Sequence, residues 1–82
     1  MNIIYTRHVK QRMAQRHVSP DEIRETLETP DEILPGDFDE EMAIKQYGHR
    51  EIRVVYRQTA DDTYLIITVM KPRLLKRTYF ER

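Results

Sequence analysis

His8, Arg12 and Arg16 recur at four-residue steps in the stretch YTRHVKQRMAQRHVSPDE, residues 5–22. Residues four apart stack on one side of an α-helix, so the three form a polar ridge. At about 100° per residue, Val9 and Met13 fall on the next stripe round, and the ridge runs along the border of the buried face. Further along, Lys45, Tyr47, Arg53, Tyr56 and Thr68 supply cations and hydroxyls on segments of strand character. Together these types suit one metal-free reaction. RNA is cut when a base takes the proton of the 2′-hydroxyl, a cation stabilises the crowded phosphorane and an acid protonates the leaving 5′-oxygen. Histidine suits the first task because its pKa lies near neutrality, and the arginine fork matches two phosphate oxygens. Tyrosine can stack a base or help transfer a proton.

Each residue also has a structural role open to it. His8 can bond locally to backbone in a first helical turn, and Arg12 and Arg16 can pair with the acids of residues 31–41. Arg53 sits inside an apolar strand and must reach solvent across an open face or meet an anion. Thr68 can be an ordinary strand residue, and His17, at a helix end, is favoured there by the helix dipole when charged. Other chemistries lack support. The histidines at 8, 17 and 49 have no pair spaced three or four apart, so no zinc-ligand pattern arises. Gly36 and Gly48 build no phosphate-cradling loop, and Ser19 reads as a helix cap rather than a nucleophile. The chemistry above needs no cofactor.

Eighty-two residues make one small domain with a single modest core, since a chain this short buries only roughly 60 to 65 percent of its unfolded surface. Without cysteine, neither disulfides nor thiolate metal sites can supplement that core. The lack of a secretory apolar region or any long apolar run favours a soluble cytoplasmic protein with no membrane role. The formal charge is zero, yet it is sorted along the chain: +4 over residues 1–20, −9 over 21–41 and +5 over 42–82. The two basic parts can meet in space as a phosphate patch, with a uniformly solvated surface as the alternative.

The elements that must position these residues are legible from period and caps. "NIIYT" reads as a short extended segment, and a first helix runs from about Thr6, its N-cap, to His17. "VSPDEI" carries a capping box, with Ser19 as N-cap, Pro20 at the first helical position and Glu22 three residues on; Val18 and Ile23 are placed as a hydrophobic staple. The second helix stops before Pro30. Residues 30–41, rich in proline, glycine and acid, read as a crossing loop with one short edge strand at most. The period then changes to two. Residues 42–47, 51–57 and 64–70 read as three antiparallel strands separated by turn-like "GHR" and "QTADDT". The tail, with Leu74, Leu75, Tyr79 and Phe80, is a candidate fourth strand.

The alternation suggests a register in which Ile44 lies beside Val54 and Val54 beside Ile67, with Ile52, Tyr56, Leu65 and Val69 on the same inner face. Lys45, Arg53 and Thr68 then form a row on the outer face, with Tyr47, Val55, Arg57, Tyr64 and Ile66 around them. The expected fold is α+β: two N-terminal helices packed on a twisted antiparallel sheet of three to four strands.

The order of motifs over roughly residues 3–70, "RHVKQRMAQRHVSPDEIRETLETPDEI", "KQYGHREIRVVYR" and "LIITVM", resembles the small bacterial domains of domain-of-unknown-function family 4258. That family is grouped with the barnase, EndoU, colicin E5 and RelE fold. The resemblance implies a single RelE-like domain over residues 1–82, and many relatives in the group are metal-independent ribonucleases acting as toxins. By resemblance, His8 matches the helix histidine, Arg12 and Arg16 the helix arginines, Arg53 the arginine before the paired valines, and Thr68 the threonine of the last core strand. These five are the expected catalytic set, with Lys45, Tyr47, Tyr56 and Arg57 as RNA contacts and no metal. At His17 relatives commonly have glycine to end the first helix. The expected activity is RNA cleavage by 2′-hydroxyl transesterification, with RNA and an antitoxin or immunity protein as partners. A non-catalytic binding module for a charged protein or RNA is the main rival, and a structural homo-oligomer the third reading.

Overall fold

Residues 1–72 are described by the computed structural model. The expected fourth strand in the tail lies outside the described residues. The sharpest local signal in the chain closes as expected: Glu22 N donates to Ser19 Oγ at 3.1 Å and Ser19 N donates to Glu22 Oε1 at 2.9 Å. Helix α2 (Pro20–Glu28) starts there and ends at Thr29, before Pro30. Helix α1 (Arg7–Arg16) is opened by Thr6, whose hydroxyl accepts from Val9 N at 3.2 Å. It is closed by His17 in the left-handed conformation, φ 55° and ψ 47°. Histidine is among the side chains enriched in that region, so it can stand where glycine would be the unstrained choice.

Five strands complete the fold: β1 (Asn2–Tyr5), β2 (Glu32–Pro35), β3 (Glu41–Tyr47), β4 (Arg50–Ala60) and β5 (Thr63–Met70). They form one sheet in the order β1-β5-β4-β3-β2. β1 runs parallel to β5, and every other pair is antiparallel. The class is α+β, but the expected antiparallel sheet of three to four strands is corrected to a mixed sheet of five. The two added strands are the segments of four residues at the start and before the acidic loop. Stretches that short show too little alternation to announce a pairing, and tertiary contact decides them.

The register also differs from expectation. Val54 lies opposite Ala43, not Ile44, and opposite Val69, not Ile67. A β-bulge between Val55 and Tyr56 leaves Ile67 as an extra residue on β5. An extra residue reverses the alternation, so Tyr64 and Ile66 face the helices while Leu65 faces away. On β3 the small Ala43 faces inward and the larger Ile44 outward. Lys45 and Tyr47 therefore face α2, and the expected outer row of Lys45, Arg53 and Thr68 does not form. Arg53 lies opposite Ile44 and Met70, and Thr68 opposite Val55.

Both helices cover one face. Val9, Met13, Val18 and Ile23 pack there with Ala43, Ile52, Val54, Tyr56, Ile66 and Val69 as the core. Two polar contacts pin the same face: the Tyr56 hydroxyl donates to Glu41 at 3.0 Å and the Tyr47 hydroxyl to Glu25 at 2.6 Å. Burial, and then the neighbouring carboxylate, push both phenols up to about 12.

Replacing Ile52, fully buried at the sheet centre, by alanine should lower the denaturant-derived stability by about 2–5 kcal/mol, whereas Ser19→Ala should cost about 1 kcal/mol through the lost cap. A second expectation concerns alkaline pH. Unfolded tyrosines ionise near 10 and these two near about 12, so between those values the unfolded chain releases protons that the folded chain keeps. The melting temperature should fall as pH rises through that window, and fall less steeply in Tyr56→Phe.

Candidate phosphate-binding cleft

The helix ridge forms as the spacing requires. Val9 and Met13 are buried, Arg12 and Arg16 are half-buried, and His8 is exposed. Arg12 Nε donates to His8 Nε2 at 3.5 Å, the outer limit of a hydrogen bond, so the two side chains are neighbours without being locked. Arg16 is held firmly. Strand β1 pairs with β5 only as far as Ile66, and beyond that point the Arg16 guanidinium donates to the Val69 carbonyl at 2.9 Å. It thereby satisfies a backbone group on the edge that β1 leaves uncovered.

Beside Arg16 the chain gathers three more cations. Lys71 Nζ donates to the His17 carbonyl at 2.9 Å and stands 3.7 Å from Glu22. Arg50, at the start of β4, donates to the Lys71 carbonyl at 3.3 Å, and Glu51 N donates to the Pro72 carbonyl at 3.1 Å, which carries the β4–β5 ladder past Met70. Arg53 Nε pairs with Glu51 at 2.7 Å on the same strand. Arg16, Arg50, Arg53 and Lys71 line a cleft of about 480 Å³, with Met70 and Pro72 as its apolar lining and Gln15 and His17 at the helix end. A guanidinium carries five N–H donors, and the bonds just described use one from each arginine. The remaining donors suit a multidentate oxyanion such as phosphate.

Of the expected site residues, Arg16 and Arg53 meet at this cleft. His8 and Arg12 lie along the ridge leading to it, and His8 is about 12 Å from Arg16 along the helix by the axial rise of eight residues. Thr68 is half-buried on the outer face and does not line the cleft. The four expected RNA contacts are engaged elsewhere. Lys45 donates to the Thr29 carbonyl at 2.9 Å, Tyr47 and Tyr56 hold Glu25 and Glu41, and Arg57 pairs with Asp39 at 2.8 Å. The Arg57 hydrogen bond holds the Asp39 carboxyl below its usual range. Thus the acid of residues 31–41 seen to take an arginine takes it from β4 rather than from the ridge.

Sequence reasoning missed Arg50, Lys71 and the position of His17. Arg50 follows a glycine-bearing turn and Lys71 follows a strand, and only the pairing of Arg53 with Met70 brings them to one end of the sheet. Among the described residues, no three His, Cys, Asp or Glu side chains are grouped as metal ligands, and no helix is long and apolar enough to cross a membrane.

Residues 5–71 match the family described as Domain of unknown function (DUF4258). The chain belongs to that family. No curated protein and no solved structure matches it. The DUF4258 match begins in β1 and ends at Lys71, so it takes in the whole ridge and all four cations of the cleft.

Thermal shift with inorganic phosphate tests the cleft directly. A ligand that binds the folded state raises the melting temperature. Phosphate should stabilise the wild type, and Arg50→Ala or Arg53→Ala should remove most of that shift. Lys10→Ala, on the side of α1 opposite the ridge, should keep it.

Proposed function

We propose that this DUF4258 domain is a small, metal-independent ribonuclease-like protein that holds RNA phosphates with the cleft cations and cuts beside the His8–Arg12 pair. The observation that carries this reading is the junction of the ridge with the cleft at Arg16, which serves both. In the reaction His8 Nε2 takes the proton of a 2′-hydroxyl as Arg12 turns from the imidazole to the phosphate. The 2′-oxygen bonds to phosphorus, the bond from phosphorus to the 5′-oxygen breaks, and water protonates the leaving oxygen while His8 returns its proton to solvent. The products are a 2′,3′-cyclic phosphate and a 5′-hydroxyl.

The grouping that the family resemblance implies supports a toxin-related role in the cytoplasm. An antitoxin or immunity protein silencing such a toxin would cover the cleft and present carboxylates to Arg50, Arg53 and Lys71. A second reading, a non-catalytic binding module for RNA or a charged protein, is favoured by one observation: His8 does not line the cleft.

Cleavage of a labelled RNA separates the two readings. Activity should persist in excess EDTA and leave a cyclic phosphate end. His8→Ala should abolish it while stability stays within about 1 kcal/mol, the scale for an exposed side chain without a buried role. RNA retained but never cut would favour the binding module, and activity lost in chelator and restored by a divalent cation would remove the metal-free mechanism.

A further inference from the structure

The ridge and the cleft differ in kind. The ridge, His8 to Arg16, is a line of polar groups about 12 Å long, half-buried at Arg12 and Arg16 and exposed at His8. The cleft has cations around an apolar lining of Met70 and Pro72. A phosphate needs only the cations, whereas the apolar lining suits the flat face of a base. A base in a duplex has that face covered by its stacked neighbours, but an unpaired base can turn it to the protein.

We infer that ridge and cleft form one continuous track for single-stranded RNA, with the cut beside His8 and a second nucleotide anchored in the cleft. This rests on the ribonuclease reading and adds to it the form and minimum length of the substrate. At about 3.4 Å per nucleotide of a stacked strand, the 12 Å from His8 to Arg16 corresponds to roughly three to four nucleotide steps. Arg16 is the joint. Its bond to the Val69 carbonyl fixes it where the ridge ends and the cleft begins, so one strand can meet Arg12, Arg16 and then Arg50, Arg53 and Lys71 in turn.

Fluorescence anisotropy with labelled single-stranded RNAs of two, four and eight nucleotides, and with a blunt eight-base-pair RNA duplex, tests the track. Affinity should rise at least tenfold from the dinucleotide to the octanucleotide, with the tetranucleotide, too short to run from His8 into the cleft, in between, and be at least tenfold weaker for the duplex than for the octanucleotide. The octamer should show a salt slope of about −3, as expected when a single strand meets four to five cations. Arg50→Ala, an exposed position whose folding is checked by circular dichroism, should flatten both the length step and the slope, and Lys10→Ala should leave both unchanged. Binding of RNA without a length step, or equal binding of the duplex, overturns the track and leaves the ribonuclease reading standing. Failure to bind any of the RNAs overturns that reading, and the track with it.

Discussion

Val54 sits opposite Ala43 on one side and Val69 on the other, and none of the three is exposed to solvent. That triple fixes the registers on both sides of the central strand. Because side chains alternate across a sheet, Val54 facing the helices obliges Arg53 to face away, and a slip of one residue would bury the guanidinium and expose the core. The chemistry of the cleft follows from the same constraint. With Arg53 opposite Met70, the next residues along β5 and the first residues of β4 meet at one end of the sheet, and Arg50 and Lys71 come together there.

The edge of β5 shows how a structural need positions a cation. β1 is only four residues long and its pairing ends at Ile66, next to the bulge at Ile67. A carbonyl left on that edge needs a donor, and docking α1 through Val9 and Met13 brings Arg16 to Val69. Lys71 makes the reciprocal tie, from the end of β5 to the carbonyl of His17 at the helix joint. The left-handed turn at His17 is therefore braced from outside the helix as well as by its own bond to Met13. Helix end and strand end hold one another, and the cleft lies between them.

Zero net charge conceals two poles. Arg50 and Lys71 lie at the end of the sheet where β3 turns into β4, while Asp37, Asp39, Glu40, Asp61 and Asp62 lie at the turns of the other end. β4 spans the distance between them, and its 11 residues correspond to roughly 35 Å at the usual rise per residue. That is several Debye lengths at physiological ionic strength, so the acids of that end do little to neutralise the cleft, whose nearby carboxylates are Glu51, paired with Arg53, and Glu22, beside Lys71. A neutral isoelectric point is consequently compatible with a local site for phosphate.

Local rules sufficed for the features that depend on near neighbours. The capping box at Ser19, the stop before Pro30, the Thr6 cap and the ridge of His8, Arg12 and Arg16 were legible because each is decided within about one helical turn. The three long strands were legible from their β-branched runs, and the inward faces of Ile52, Val54 and Tyr56 from their alternation. The short strands β1 and β2 were legible only as an extended segment and a short edge strand, and their places in the sheet were not, because four residues carry no usable period and gain their ladder bonds only from a partner distant in the chain. The bulge at Ile67 was equally hidden, since an extra residue reverses the alternation from which register is read. Half of the cleft could be named from types and spacing, namely Arg16 and Arg53. Arg50 and Lys71 joined them only through pairing across β4 and β5. Sequence determined which residues could hold a phosphate, because charge and hydrogen-bonding capacity belong to the side chain. Tertiary structure decided which of them line one cleft, because that depends on strand register, and register is set by the burial of Val54 rather than by any property of the cations themselves.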